Sequence, residues 1–181
     1  MININSWIIP IFTTIMGAVI TVIANHFLSS YNEKNKMKNK TINTKANLKV
    51  EFELNKKKIE QYNEQYLKLN ISTIILLNQD KNDIYLDFYK NLSSFPIFNH
   101  TAWNNAQNII NNIFNEQEIK KMIEFNTSCD ELKEKSNNLH EKYVNKNFKE
   151  ENNSYSDIRD FEWDIRNTIN KGEIVLVYFN F

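Results

Sequence analysis

The sequence predicts an all-α protein in which an N-terminal transmembrane helix is followed by an antiparallel helical bundle. Residues 1–32 contain no charged side chain. The chain of 181 residues has only two glycines and two prolines, too few for an architecture built on many turns. Farther along, apolar residues recur at steps of three and four, which is the period of amphipathic helices. These three observations favour helices throughout.

The first predicted element is a membrane-spanning helix within residues 1–32. Its apolar part runs from Trp7 to Leu28. At ~1.5 Å per residue this part is long enough to cross a hydrocarbon core of ~30 Å. Pro10 is expected in the first turn, where its missing N–H costs nothing. Asn25 and His26 lie near the other end, where polar groups are tolerated.

A retained single-pass anchor is favoured over two alternatives. A cleaved signal peptide has a basic first segment and small residues at its cleavage site. Residues 1–5 carry no Lys or Arg, and Ala24-Asn25-His26 matches a cleavage site poorly. The other alternative is a buried core helix, but such a helix rarely runs this long without a single charge.

Lysines follow the span closely and set its expected direction. They are Lys34, Lys36, Lys38, Lys40 and Lys45. Only Glu33 carries the opposite charge in this stretch. The positive-inside rule then places the amino terminus outside the cell membrane and residues 29–181 in the cytoplasm. Cys129 is the only cysteine, so no internal disulfide points to an oxidising compartment.

Charge divides the rest of the chain into a basic collar, residues 33–58, and an acidic helical domain, residues 59–181. The collar has nine lysines and three glutamates, a net charge of +6, whereas the distal part has 13 basic and 19 acidic residues, a net charge of −6. Anionic headgroups attract juxtamembrane lysines by ~1 kcal/mol each. Membrane lipid is therefore a predicted partner of the collar. The other interpretation is that the charges serve only topology and solubility.

A heptad pattern predicts a helix beyond the collar. Its members step by four and three residues: Leu48, Phe52, Asn55, Ile59, Tyr62, Tyr66 and Leu69. Such a helix seam is typical of a coiled coil with another protein or a second copy, or of a helix packed inside its own domain. We favour packing inside the domain. Asn55 is the kind of polar seam residue that can set register or pairing in a coiled coil.

Further segments complete the predicted bundle. Helices are expected at residues 83–92, 101–113, 116–145 and 157–171. Thr101 and Ser156 are the expected N-caps of the second and the last of these helices. Gly172 is expected to end the last one as its C′ residue. Residues 95–98 predict an extended connector, and residues 173–181 predict a helix or a docked tail in preference to a strand.

Side chains that can carry chemistry form no recognisable catalytic or metal motif. The histidines lack the spacing of a zinc or di-iron site: His26, His100 and His140. Cys129 is expected in the core. Three carboxylates share one helix face, where solvation is favoured over cation binding: Asp157, Asp160 and Asp164. We therefore predict no catalytic residue, metal ligand or cofactor, and expect a protein that is not an enzyme.

The Lys-rich stretch 34–58 also allows a nucleic-acid interface. Attraction to phosphates needs only clustered lysines, and Tyr62 or Tyr66 can stack on bases. Arginine is scarce, however, and no nucleic-acid-binding module is recognisable. A membrane-tethered effector that binds nucleic acid without sequence preference is therefore the alternative function.

Two short stretches carry a resemblance that covers about half the chain. They are Leu48-Lys49-Val50-Glu51 with Asn55, and Phe98 with Thr101-Ala102-Trp103. In these residues and in its layout the chain resembles a broad group of uncharacterised bacterial single-pass proteins with helical cytoplasmic regions. It is also similar to phage-resistance (abortive infection) proteins of low-GC Gram-positive bacteria. The resemblance implies a membrane-anchored cytoplasmic binding module, in phage defence or in a membrane-associated complex, and brings no catalytic residues.

Overall fold

The computed structural model of the protein describes residues 5–67, 87–145 and 154–179. Within these stretches the regular structure is helical, without a strand, so the protein is all-α. The helices are α1 (Asn5–Tyr62), α2 (Thr101–Ala106), α3 (Glu116–His140) and α4 (Ser154–Val177). Single π turns follow α1 at Asn63–Leu67 and α3 at Glu141–Asn145. Two 3₁₀ turns lie at Leu92–Ser94 and Ile110–Asn112.

Two compact units divide the chain, Met1–Asn43 and Thr44–Phe181, and the boundary between them lies inside α1. The predicted segments 1–32, 33–58 and 59–181 are defined by hydropathy and charge rather than by contacts between residues. This threefold division therefore stays a prediction.

The first unit contains the apolar part of α1. Among the described residues, α1 is the one helix long and apolar enough to cross a bilayer, judged by length and composition. Its large apolar side chains are exposed: Ile15, Met16, Val19, Ile20, Val22, Ile23, Phe27 and Leu28. The expected place of Pro10 is wrong, because α1 begins at Asn5 and Pro10 lies in its second turn. There Pro10 cannot donate a hydrogen bond to the carbonyl of Ser6.

The second unit is built around one hydrophobic core. The largest fully buried side chains come from several parts of the unit: Leu48, Phe52, Ile59, Phe88, Tyr89, Leu92, Met122, Phe125, Phe161, Ile165 and Val175. Aromatic rings pack edge to face inside it, with ring centroids 5.8 Å apart for Phe52 and Phe125. Burying one such side chain stabilises the fold by about 1.5–3 kcal/mol.

Helix α3 begins at the predicted residue and is fixed there by a capping box. The Asn115 side chain accepts a hydrogen bond from the Glu118 N–H at 3.0 Å, and the Glu118 carboxylate accepts one from the Asn115 N–H at 2.8 Å. One stripe along α3 and the following π turn is buried: Met122, Asn126, Cys129, Leu132, Ser136, Leu139 and Tyr143. Ile119, at the start of the same stripe, is half-buried. Glu116–His140 together with Glu141–Asn145 therefore confirms the helix predicted at residues 116–145.

Helix α4 packs against α3 and differs from its prediction at both ends. It begins at Ser154, so Ser156 lies inside the helix and is not its N-cap. It continues through Gly172 to Val177, so Gly172 is not a C′ residue. A Cβ atom on Gly172 would lie 2.9 Å from Phe125 Cε2, which shows that this glycine allows α4 to approach α3 closely.

The segment between α1 and α3 contains little regular structure. Residues 87–91 are helical and residues 95–100 are not, which agrees with the expected helix end and connector. Residues 68–86 lie outside the described part. Helix α2 ends at Ala106 instead of continuing to residue 113, because a turn and a 3₁₀ turn replace the rest of the expected helix.

The C-terminal residues of the described chain form a helix and then a docked tail, as the sequence predicts. After α4 ends at Val177, the Phe179 side chain is buried. Its ring centroid lies 5.2 Å from that of Phe114 and 5.9 Å from that of Phe52. The tail is therefore held by aromatic contacts with the core.

Candidate functional site

Four of the five predicted membrane-surface lysines are exposed on α1. Successive helical residues are rotated by ~100°, so Lys34 and Lys38 lie on one side of the helix and Lys36 and Lys40 on nearly the opposite side. We call these four residues the lysine ring. Lys45 differs, because it is half-buried in the second unit with its Nζ atom 5.7 Å from the centre of the Phe114 ring.

The predicted helix seam faces the core of the second unit. Five of its members are buried: Leu48, Phe52, Asn55, Ile59 and Tyr62. The side chains of Tyr66 and Leu69 lie outside the described part of the chain. Tyr62 packs edge to face on Phe95, with ring centroids 4.7 Å apart. The five buried positions are therefore occupied by contacts within the chain itself.

Two polar residues of α1 hold the segment that leads into α2. The carboxylate of Glu51 accepts hydrogen bonds from the N–H groups of Ala102 (2.6 Å) and Trp103 (2.9 Å). Asn55 Nδ2 donates to the Asn99 carbonyl at 2.8 Å. In return, the Asn99 N–H donates to Asn55 Oδ1 at 3.0 Å. Glu51 and Asn55 are buried, so α1 replaces water for the otherwise unpaired donors of the α2 N-terminus.

The prediction that Thr101 is the N-cap of α2 is wrong. Thr101 is the first helical residue, and the cap position is occupied by His100 without a side-chain cap bond. The local side-chain acceptor is Asn99 Oδ1, which accepts from the Thr101 N–H at 3.0 Å and from its hydroxyl at 2.7 Å. Sequence reasoning missed Glu51, although its spacing of four from Asn55 places both residues on the same side of α1.

A cavity of about 360 Å³ lies between α2 and α3 in the second unit. We call it the polar cavity. Its lining residues are His100, Trp103, Asn104, Ile123, Asn126, Thr127 and Asp130. On the α2 side, the hydrogen bond from the Trp103 N–H to Glu51 fixes the backbone. The ring of Trp103 packs on that of Phe52, with centroids 6.2 Å apart.

Two residues that line the polar cavity, Asn126 and His100, carry buried polar atoms that no other described residue satisfies. The atoms are Asn126 Nδ2, Asn126 Oδ1 and His100 Nδ1, each buried and without a hydrogen-bond partner among the described residues. Asn126 as a whole is only 6 % exposed. Leaving one buried polar group unpaired costs about 1–3 kcal/mol. These atoms have almost no accessible surface, so they do not face the open part of the polar cavity.

The second nitrogen of the His100 ring determines what Nδ1 can do. His100 Nε2 lies 2.9 Å from Asp130 Oδ1, and a carboxylate only accepts hydrogen bonds. Nε2 therefore carries a hydrogen, and in the neutral ring Nδ1 is an acceptor. The buried unpaired groups beside the cavity are thus the amide N–H group of Asn126 as donor, with Asn126 Oδ1 and His100 Nδ1 as acceptors.

The other chemically reactive groups have structural surroundings. Cys129 is fully buried, as predicted, and burial raises the pKa of its thiol. His140 Nδ1 donates to the Tyr89 carbonyl at 2.9 Å. Among the residues that the structure describes, no group of three or more potential metal-ligating side chains occurs.

The three carboxylates predicted on one face of α4 do not converge. Asp157 accepts hydrogen bonds from Tyr143 Oη at 2.5 Å and from Lys142 Nζ at 2.9 Å. Asp164 pairs with Lys135 of α3. Asp160 is exposed, 3.9 Å from the Arg159 guanidinium. Each carboxylate therefore has its own basic neighbour. An intrahelical ion pair also joins Glu162 and Arg166.

No protein-family model, curated protein or solved structure matches this chain. Its function has to be inferred from its own side chains and their surroundings.

Proposed function

We propose that this protein is a single-pass membrane protein whose cytoplasmic helical part binds a partner at the membrane surface. The observation that supports this most directly is the exposed apolar surface of α1 between Ile15 and Leu28. A contiguous apolar surface of this kind is rare on soluble proteins, and lipid contact would remove it from water.

The lysine ring supports an N-outside orientation. It begins six residues beyond Leu28, within the distance over which positive charge sets topology. Its lysines lie on opposite sides of α1, so a helix that emerges from the bilayer can contact headgroups all around. A helix lying flat on a surface would turn only one of these sides toward it.

The binding role rests on the helical second unit, which we take to be an antiparallel bundle. Its proposed partner is another protein or a second copy of the chain, in phage defence or in a membrane-associated complex. The resemblance in sequence and layout supports this role. The polar contacts around Asn55 favour intramolecular packing for the seam, so partner binding is assigned to other exposed surfaces of the second unit.

The alternative function, sequence-independent nucleic-acid binding, depends on the lysines of residues 34–58. Several of these lysines have partners within the chain. Lys56 Nζ lies 2.6 Å from a Glu60 carboxylate oxygen, and Lys58 Nζ donates to the Ile97 carbonyl at 2.7 Å. The lysine ring, split between two sides of α1, does not present one continuous stripe to a phosphate backbone. These contacts favour the membrane-surface function.

Topology is tested by cysteine labelling of the full-length protein in intact cells. Because the native Cys129 is buried, single introduced cysteines report with little background. We expect a membrane-impermeant maleimide to label Asn3→Cys and not Asn35→Cys until the membrane is opened. Replacing the four ring lysines by glutamate should reduce or invert this pattern. Labelling of Asn35→Cys in intact cells would contradict the proposed orientation.

The binding role is tested by affinity capture of the full-length anchored protein, with nuclease-treated and untreated halves compared. Protein partners that survive nuclease digestion are the expected result. Recovered nucleic acid, with partners lost on digestion and binding that collapses with added salt, would instead establish the alternative.

A further inference from the structure

We propose that a second cavity, the groove between α3 and α4, binds a small zwitterion, an amino acid of the size of glycine or alanine. We call this cavity the α3–α4 groove. All its lining residues belong to the second unit, so the site does not depend on the membrane anchor. Its volume is about 110 Å³, the space of about four water molecules at ~30 Å³ each, so it admits a ligand of a few non-hydrogen atoms.

The two ends of the α3–α4 groove are fixed by contacts that join the helices. At one end, Lys171 Nζ of α4 donates to Ser128 Oγ of α3 at 2.6 Å. At the other end, Lys135 of α3 pairs with Asp164 of α4. Ser128 and Lys135 are seven residues apart, so about 10 Å of helix separates the two contacts. The groups that recognise the ligand lie between them or at the Lys171 end.

The middle of the groove has a buried floor and an accessible rim. On the floor, Leu132 and Thr168 are buried, and the Thr168 hydroxyl donates to the Asp164 carbonyl at 2.8 Å. On the rim, Glu131 is exposed and Asn167 is half-buried. Neither of these two side chains has a hydrogen bond or an ion pair with another described residue. The amide atoms of Asn167 are not among the fully buried ones, so a ligand in the groove can reach them.

The charges of the groove favour a zwitterion over a simple ion. Lys135 and Asp164 neutralise each other, whereas Lys171 and Glu131 form no ion pair with a described residue. A simple anion would be attracted by Lys171 and repelled by Glu131, and a simple cation would experience the reverse. An amino acid satisfies both groups, because its carboxylate accepts from the Lys171 ammonium while its own ammonium donates to the Glu131 carboxylate.

Hydrogen-bonding capacity at the Lys171 end matches a carboxylate. The Lys171 ammonium has three hydrogens, of which Ser128 Oγ accepts one, so two remain for a ligand. The Ser128 hydroxyl is an acceptor in this contact and can still donate its own hydrogen. Glu131 follows Ser128 by three residues, ~4.5 Å along α3. This short separation favours an α-amino acid, in which one carbon lies between the two charged groups.

The test is equilibrium dialysis of the full-length protein in detergent against radiolabelled glycine. We expect saturable binding. Unlabelled acetate and methylammonium each carry only one of the two charges and should compete at least tenfold less effectively than unlabelled glycine. Absence of saturable glycine binding, or competition by either single ion as strong as that by glycine, would overturn the proposal.

A second competition tests the size of the site. L-Alanine should displace labelled glycine, whereas L-phenylalanine has the same charged groups on a side chain too large for about 110 Å³ and should be at least tenfold weaker. Equal competition by the two amino acids would show that the ligand is not bound inside the α3–α4 groove.

Variants assign the binding to the two charged groups. Glu131→Gln and Lys171→Met should each weaken glycine binding at least tenfold. Glu134→Gln is the matched control for the first, because Glu134 is exposed on the same helix and does not line the groove. Glycine affinity that is unchanged in Glu131→Gln would refute the zwitterion site, even if Lys171→Met binds less.

The melting temperature of each variant separates a lost ligand from a lost fold. Glu131 is exposed and without a partner among the described residues, so Glu131→Gln should melt as wild type. Lys171→Met also loses the contact with Ser128, so Glu131→Gln alone decides if that variant does not fold. Failure of glycine to bind removes the site and leaves the membrane-surface function unaffected.

Discussion

The side-chain amide of Asn55 forms a reciprocal pair with the backbone of Asn99: Nδ2 donates to the carbonyl at 2.8 Å, and the N–H donates to Oδ1 at 3.0 Å. Residues 95–100 have no regular structure, so this pair substitutes for the hydrogen bonds that a helix would supply. Asn55, the polar residue of the seam, therefore stabilises a contact within the chain.

Replacing Asn55 by leucine should destabilise the protein without changing its oligomeric size. The variant leaves the backbone N–H and carbonyl of Asn99 without partners, at an expected cost of about 1–3 kcal/mol in the free energy of unfolding. Thermal unfolding in detergent measures the loss, and light scattering measures size. Asn138→Leu, at an exposed position of α3, is the control and should be nearly neutral. A changed size with unchanged stability would mean that Asn55 sets an intermolecular register.

Gly172→Ala should lower stability although alanine is the better helix former by about 1 kcal/mol. The new Cβ atom would lie 2.9 Å from Phe125 Cε2 and 3.3 Å from Lys56 Cδ, so the packed ring has to move. We expect a net loss of about 1–2 kcal/mol, measured by thermal unfolding. Gly17→Ala is the matched control, because nothing lies within 4 Å of its added Cβ. Adding Phe125→Leu to Gly172→Ala should reduce the penalty of the alanine, and a stabilised single variant would contradict this explanation.

Cys129 should not react with thiol reagents in the native protein. It is fully buried, and burial raises the pKa of the thiol, so the reactive thiolate is both scarce and inaccessible. We expect no modification by a maleimide in native conditions and complete modification after unfolding in guanidinium. Asn138→Cys, exposed on the same helix, should react at once and confirms that the reagent is active. Rapid native labelling of Cys129 would mean that the inner face of α3 opens readily.

Acidification should remove stability that Asp157 provides. Burial alone raises the pKa of this carboxyl, but hydrogen bonds from Tyr143 and Lys142 outweigh it and hold the pKa below its ordinary value. A lowered native pKa means that the unfolded chain binds the proton first. The contribution is therefore complete above the unfolded pKa of ~3.9 and is lost as pH falls through the lower folded value.

The measurement for Asp157 is the melting temperature between pH 7 and pH 3. Asp157→Asn should be less stable than wild type at pH 7, and the difference should shrink as the pH falls below about 5. Asp160→Asn removes an exposed carboxylate of the same helix and should follow the wild-type curve. A gap between Asp157→Asn and wild type that stays constant down to pH 3 would show that the effect is not linked to ionisation.

Local patterns predicted the helices well where one face is apolar over many turns. The stripe from Met122 to Tyr143 is an example, since its spacing alone indicates which side is buried. The position of Gly172 was misjudged because glycine is a common helix terminator, whereas its role here depends on Phe125, nearly fifty residues earlier. The order of residues around Gly172 does not show that α4 lies this close to Phe125.

Sequence patterns predict the candidate site only in part, for the same reason. The seam residues Phe52 and Asn55 stand out in the sequence by their spacing. Their partners around Asn99 and Trp103 do not, because the contacts join residues more than forty positions apart. Asn126 was visible only as a polar member of an apolar stripe. Its unpaired amide became apparent once the neighbouring helix was in place.

The capping of α2 by Glu51 has a consequence for the order of folding. A six-residue helix is far too short to persist alone, since nucleation costs more than its few hydrogen bonds return. It therefore forms only when α1 has brought the Glu51 carboxylate to its first N–H groups, across a loop of about fifty residues. Amide hydrogens at the start of α2 should thus exchange with solvent only when α1 detaches, so that this short helix reports on the docking of a much longer one.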